Sequence, residues 1–178
     1  MQFASPDALE RARRVKLMIF DVDGVLTDGR LWYGLAGEEI KAFHSFDGQG
    51  IKMLAKSGVG LALLSGRRSS AVAARAAELG IEHVLQGIEE KRESYEALLK
   101  RLGLGREAAG YMGDDLVDIP VLIRCGFGCT TPEAPEEVRK RVHYVAASHA
   151  GAGAAREVCE YIMRAQGTLE GVLEEYLA

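Results

Sequence analysis

In MIFDVDGVLTDG, residues 18–29, an apolar run ends at Asp21 and a second aspartate, Asp23, follows two positions later. Val15 to Phe20 reads as a short strand buried on both faces of a parallel sheet. A carboxylate at the end of such a strand is costly unless something compensates its charge. What supplies that compensation decides the reading of the chain.

Outward from this strand, apolar runs and helical patterns alternate. Residues 31–34 and 39–43 suggest a hairpin, 47–56 a helix with Gly58 past its end, and Gly60 to Leu64 a second buried strand. A helix over 69–79, a strand over 83–85, a helix over 89–102 and a strand over 109–112 follow. Further on come a helix over 116–124, a strand near 127–130, a helix over 133–141, Tyr144-Val145, and a last helix over about 153–165. This alternation predicts an α/β doubly wound, mostly parallel sheet in one domain over 1–178, with a small β-hairpin and a C-terminal tail from about 166. Ligands of such sheets bind beyond the carboxyl ends of the strands. The polar clusters sit there: Asp21/Asp23, Ser65-Gly66-Arg67 and Asp114/Asp115, with Lys91 opening the helix after the short third strand.

Composition narrows the function classes. The 178 residues are 48% hydrophobic with a net charge of −4, and no Lys/Arg-rich stretch suits a nucleic-acid face. No apolar run approaches the ~20 residues of a membrane helix, and MQFASPDALERARR lacks the apolar core of a signal peptide. Cys125, Cys129 and Cys159 lack metal-site spacing and read as reduced, buried thiols of a cytoplasmic protein. The expected partner is therefore a small molecule, with neither nucleic acid nor membrane.

Carboxylates gathered within a few ångströms repel one another unless a cation lies between them. Asp21, Asp23 and Asp114 offer hard oxygen ligands only, which suits Mg²⁺ better than zinc. With a serine hydroxyl and a lysine beside them, the set matches phosphoryl transfer: a carboxylate attacks phosphorus, and the hydroxyl and ammonium stabilise the spreading charge. Asp23 is placed to protonate the leaving alcohol and then to activate water.

DVDGV (21–25), LLSGR (63–67), Lys91 and GDDLVD (113–118) stand in order at strand ends and resemble the four motifs of the haloacid dehalogenase superfamily of phosphatases. The resemblance implies Asp21 as nucleophile and Asp23 as general acid/base. It implies Ser65 and Lys91 as the groups that hold the phosphoryl, with Gly66 and Arg67 completing the substrate-binding set. Mg²⁺ would lie on Asp21, the Asp23 backbone carbonyl and Asp114, supported by Asp115 or Asp118. Ser65 stands where threonine is commoner and keeps the hydroxyl.

DVDGVLTDG, FDGQGIKML, SGRRS, QGIEEK, YMGDDLVDIPVL and GAGAAREVCEYIM cover nearly the whole chain and are similar to one branch of that superfamily. Its members remove phosphate from 3-deoxy-D-manno-octulosonate 8-phosphate in making the inner sugar of lipopolysaccharide. The branch implies a sugar-acid phosphate as substrate and a homotetramer whose hairpins and tails complete one another's sites. Glu90, Ala150 and Ala152 depart from its usual pattern. The gaps from Asp21 to Ser65 and from Ser65 to Lys91 are too short for a separate cap domain.

Other readings stand beside these. Arg67, and secondarily Arg68, is either a carboxylate contact or a surface charge, and Asp47-Gly48 either touches substrate or starts a helix. Arg156 is a candidate contact from a neighbouring subunit. Trp32 and Tyr33 suit hairpin packing or an interface, and the four histidines packing or surface. The alternative substrate is another 2-keto sugar acid, such as a sialic-acid-type 9-phosphate. A phospho-acceptor signalling domain shares the acidic cluster, hydroxyl and lysine, but has no need of Asp23.

Overall fold

The strand that ends at Asp21 is buried along its whole length, and its side chains alternate between two separate apolar clusters. Met18 and Phe20 belong to one, Leu17 and Ile19 to the other. A strand with both faces covered needs a layer of helices on each side. The computed structural model describes residues 3–177 and has that arrangement; Met1, Gln2 and Ala178 lie outside the described residues.

In chain order the elements are β1 (Phe3–Ala4), α1 (Ala8–Arg13), β2 (Leu17–Phe20), the hairpin β3 (Trp32–Tyr33) and β4 (Glu39–Ile40), α2 (Ser45–Lys56) and β5 (Gly60–Ser65). Then come α3 (Ser70–Leu79), β6 (His83–Gln86), α4 (Lys91–Leu102), β7 (Ala109–Met112), α5 (Ile119–Leu122), β8 (Phe127–Thr130), α6 (Glu136–Arg139), β9 (Tyr144–Val145), α7 (Ala154–Gln166) and α8 (Leu169–Glu174). The seven-stranded sheet has the order β1-β9-β8-β7-β2-β5-β6, parallel throughout except for β1 against β9. The chain winds from β2 outward through β5 and β6, returns to the other side of β2, and winds outward again through β7, β8 and β9. The switch in direction therefore falls between β2 and β7, where Asp21 and Asp114 emerge side by side.

Helices α1, α2, α3, α7 and α8 bury Ala12, Ile51, Val72, Ile162 and Leu169 on one face of the sheet. On the other, α4, α5 and α6 bury Tyr95, Leu98, Val121 and Val138. The doubly wound sheet and hairpin agree with the sequence reading, and no described helix is long and apolar enough to cross a membrane.

Several boundaries differ for identifiable reasons. The helix expected over 116–124 is a 3₁₀ turn, Leu116–Asp118, followed by the short α5. Pro120 sits in the first turn of α5, where its missing N–H does no harm but prevents a continuous helix from running through. The helix expected over 133–141 shrinks to α6, because Pro135 occupies its N-cap. Gln166 ends α7, and in the tail beyond it α8 buries Leu169 and Val172 in the core.

Asp47 resolves as a structural residue. It is 2% exposed, and its carboxylate oxygens accept from the N–H groups of Gly153 at 3.2 Å and Arg156 at 2.9 Å. Those are donors at the start of α7 that have no partner within the helix. The same two helices touch at Gly50, where an added Cβ would lie 2.8 Å from the Arg156 Cα. Asp47 thus pins α7 to α2 beside this close contact. Asp47→Ala leaves two buried N–H groups unmet and is expected to lower the unfolding free energy by about 1–3 kcal/mol in urea denaturation. An unchanged midpoint and slope would contradict this role.

Candidate active site

The site is assembled from four strand ends. After β2 the backbone turns at once: the N–H groups of Val25, Leu26 and Thr27 all converge on the carbonyl of Val22. Gly24, inside this turn, has φ +83°, and a Cβ there would fall 2.0 Å from Asp114 Oδ2. Only glycine lets the loop after β2 lie against the carboxylate after β7.

Asp21 is 6% exposed, with Oδ1 accepting from the Val22 N–H at 2.7 Å and Oδ2 lying 2.8 Å from the Lys91 ammonium. Burial pushes its carboxyl up to about 7, Asp118 adds to the rise, and Lys91 opposes it. Asp114 is likewise raised to about 7, by burial first and then by Asp21, Asp118 and Asp115. Lys91, the first residue of α4, reaches from Asp21 to Asp118 Oδ1 at 2.7 Å. Burial works against its charge, but the two carboxylates outweigh that and raise its pKa.

Asp118 is fully buried and saturated with donors. It accepts from Lys91, from the Tyr111 hydroxyl at 2.5 Å, and from the N–H groups of Asp114 at 3.0 Å and Asp115 at 3.1 Å. Asp115 caps the 3₁₀ turn through the Leu116 N–H. Asp118 therefore orients both Lys91 and the backbone that carries Asp114, a part the sequence reading divided between Asp115 and Asp118.

Carboxylate oxygens of Asp21, Asp114 and Asp118 lie within 4.8 Å of one another. One ammonium faces three carboxylates, so the cluster carries surplus negative charge that a cation would neutralise. Asp118 takes two protein donors on each oxygen and Asp21 one on each, so Asp21 keeps lone pairs that, with those of Asp114, are suited to hold one. All donors are oxygens, the set that magnesium prefers.

The cleft over this cluster has a volume of about 330 Å³ and is lined by Asp21, Asp23, Ser65, Gly66, Arg67, Lys91 and Asp114, among others. The structure thus brings Asp21, Asp23, Ser65, Gly66, Arg67, Lys91 and Asp114 of the sequence reading to one place. Ser65 is 2% exposed at the end of β5, its hydroxyl accepting from the Arg67 N–H at 3.3 Å. Arg67 lines the cleft, whereas Arg68 lies against Gly87. Arg156 is paired with Glu160 on α7, and none of the four histidines lines the cleft. A larger cavity, about 570 Å³, opens at the β1 edge of the sheet, but its one carboxylate, Glu136, is paired with Lys140.

Two residues of the hairpin escaped the sequence reading. Lys41 contacts Asp23 and Glu39, and Glu39 accepts in turn from Arg67 at 3.2 Å. Arg67 also donates to the Tyr33 hydroxyl at 2.9 Å. The available signal was the i, i+2 spacing of Glu39, Lys41 and Phe43, which puts three side chains on one side of an extended segment.

Comparison with known proteins points the same way. Residues 32–126 match the family model of haloacid dehalogenase-like hydrolases. The 3-deoxy-D-manno-octulosonate 8-phosphate phosphatase KdsC of Yersinia pestis is 42% identical over 165 residues, spanning 93% of this chain and 88% of that protein. A probable YrbI family phosphatase from Pseudomonas syringae superposes with a TM-score of 0.95 at 49% identity, covering 98% of this chain and 99% of the other. The Moraxella catarrhalis 3-deoxy-D-manno-octulosonate 8-phosphate phosphatase, solved with magnesium, phosphate and KDO, superposes at 0.94 with 39% identity, over 96% and 98% of the two chains. With its motif residues gathered at the switch point of a doubly wound sheet, and with matches of this length and identity, the chain belongs to the haloacid dehalogenase-like hydrolases.

Proposed function

We propose that this protein is a Mg²⁺-dependent phosphomonoesterase that hydrolyses 3-deoxy-D-manno-octulosonate 8-phosphate to the free sugar acid and phosphate, a step in lipopolysaccharide core synthesis. The observation that carries the reading is the buried Asp21 carboxylate, held at 2.8 Å by Lys91 beside Asp114, in a chain with phosphatase relatives along nine-tenths of its length.

In this reading an Asp21 oxygen attacks phosphorus as the bond to the sugar oxygen breaks, and Asp23 gives that oxygen its proton. Water then loses a proton to Asp23 and attacks the same phosphorus, which frees phosphate and restores the Asp21 carboxylate. Ser65 and Lys91 hold the equatorial oxygens through both steps. Mg²⁺, held by Asp21, the Asp23 carbonyl and Asp114, supplies charge neutralisation at the phosphoryl group when bound. Gly66 and Arg67 belong to the substrate-binding set, Arg67 toward the sugar carboxylate, where a guanidinium grips bidentately.

The same proposal covers organisation. One uncapped domain over 1–178 is supported by what lies between β2 and β5: the short hairpin and α2 alone. Assembly as a homotetramer is supported by the hairpin's exposed apolar side chains, with Trp32 57%, Tyr33 59% and Ile40 53% exposed. A cytoplasmic location is supported by three free, buried cysteines.

Two outcomes test the reading. kcat/KM for 3-deoxy-D-manno-octulosonate 8-phosphate should exceed that for glucose 6-phosphate by at least ~10², about 2.7 kcal/mol of differential transition-state binding, and Arg67→Ala should narrow the ratio. Equal efficiencies would leave a broad phosphatase. The second outcome concerns the metal. Asp21 and Asp114 rise from 3.8 to about 7 on folding, so the metal-free fold binds extra protons in that window and loses stability as pH increases through it. A cation replaces those protons. Mg²⁺ should therefore raise the melting temperature more at about pH 8 than at about pH 5.5; equal shifts would contradict the assigned ligands.

A further inference from the structure

The hairpin brings to Asp23 a side chain that none of the phosphoryl-transfer roles above assigns. Lys41 follows β4 directly, its side chain is 1% exposed, and its ammonium contacts Asp23 Oδ1 and Glu39 Oε1. Glu39 is itself largely covered, 13% exposed, and its other oxygen faces Arg67 at 3.2 Å. From Asp23 the contacts run carboxylate, ammonium, carboxylate, guanidinium, and end at the hydroxyl of Tyr33 on the paired strand. Burying a lysine costs desolvation and much of its rotamer freedom. Here two carboxylates take up its charge, and burial raises the strength of both contacts relative to water.

Charge compensation alone would be met by a mobile surface lysine. This one is fixed at both ends. Proton transfer demands a heavy-atom distance of roughly 2.6–3.2 Å between acid and leaving oxygen, so a carboxylate free to rotate spends most of its time misplaced. With Oδ1 engaged by Lys41, Asp23 retains Oδ2 for exchange with the substrate in the cleft that it lines.

We propose that Lys41 is a positioning residue: it fixes the Asp23 carboxylate so that Oδ2 serves the leaving oxygen, and through Glu39 it ties that placement to Arg67. The inference rests on the reading of Asp23 as general acid/base. It makes the hairpin part of the proton-transfer machinery as well as a wall of the cleft.

The readout is the dependence on the leaving group, which a merely structural role would not move. Benzyl phosphate releases a poor, alkoxide-like leaving group that needs the acid, whereas p-nitrophenyl phosphate releases a stable phenolate that does not, and neither carries the sugar carboxylate assigned to Arg67. kcat/KM covers binding and the steps up to release of the alcohol, and leaves out hydrolysis of the aspartyl phosphate. In Lys41→Gln, kcat/KM for benzyl phosphate should fall at least tenfold more than for p-nitrophenyl phosphate, and Lys41→Arg should recover part of the difference. If Lys41→Gln does not fold, the isosteric Glu39→Gln removes the lysine's second anchor and should move the same ratio at least threefold. Equal losses on the two esters in the folded variant, or no loss, would overturn the role. Asp23→Asn, measured alongside, separates the two layers. If it shifts the ratio and the hairpin variants do not, only the positioning role falls. If it too leaves the ratio unchanged, the assignment of Asp23 as acid falls, and the role of Lys41 with it.

Discussion

Lys91 stands between Asp21 and Asp118 with all three groups almost out of solvent, and the architecture of the protein can be understood as the means of holding that ammonium there. Losing the ammonium of such a triad strands buried carboxylates without their counter-charge, at a cost of about 3–5 kcal/mol. The three residues come from a strand end, a helix start and a 3₁₀ turn far apart in the chain. They meet because β2 and β7 are neighbours at the point where the winding reverses, and because α4 begins where the chain leaves β6. Tyr111, buried beneath Asp118 with its hydroxyl at 2.5 Å, ties the triad to the core of the sheet. The negative charge left over after Lys91 is the answer to the cost of Asp21: a cation completes the balance.

The hairpin contacts Arg67 through Glu39 and Tyr33, and the residue after it, Lys41, reaches Asp23. Its outer side chains are apolar and exposed, which fits a wall finished by another subunit. One small element thus contacts both Arg67 and Asp23.

Much of this was legible in the sequence. The strand at β2 announced itself by unbroken apolarity, because both of its faces are covered. Asp21, Ser65 and Asp114 could be located because strand ends of a parallel sheet are fixed by the apolar runs before them. Lys91 could be located by its place after the third strand. What remained hidden depends on contacts between distant residues. Asp118 owes its importance to Lys91 and Tyr111, and Lys41 owes its burial to a hairpin whose strands are two residues long. The GDDLVD motif marks Asp118 and the i, i+2 spacing marks Glu39 and Lys41, but neither pattern tells which distant groups these side chains meet. The overlong helices over 116–124 and 133–141 had a local remedy in Pro120 and Pro135, and α8 had one in the spacing of Leu169, Val172 and Leu173. Asp47 read equally well as substrate contact or helix start, because the backbone it caps lies more than a hundred residues away.

The central claim is that the buried carboxylate of Asp21 is the nucleophile, and its phosphorylated form can be trapped directly. Enzyme in turnover with Mg²⁺ and the sugar phosphate would be quenched rapidly, reduced with borohydride and digested for tandem mass spectrometry. An aspartyl phosphate is converted to homoserine by this treatment, so the account predicts homoserine at position 21 and unmodified aspartate at 23, 114 and 118. Turnover with Asp21 recovered intact, or homoserine at another of these positions, would contradict it.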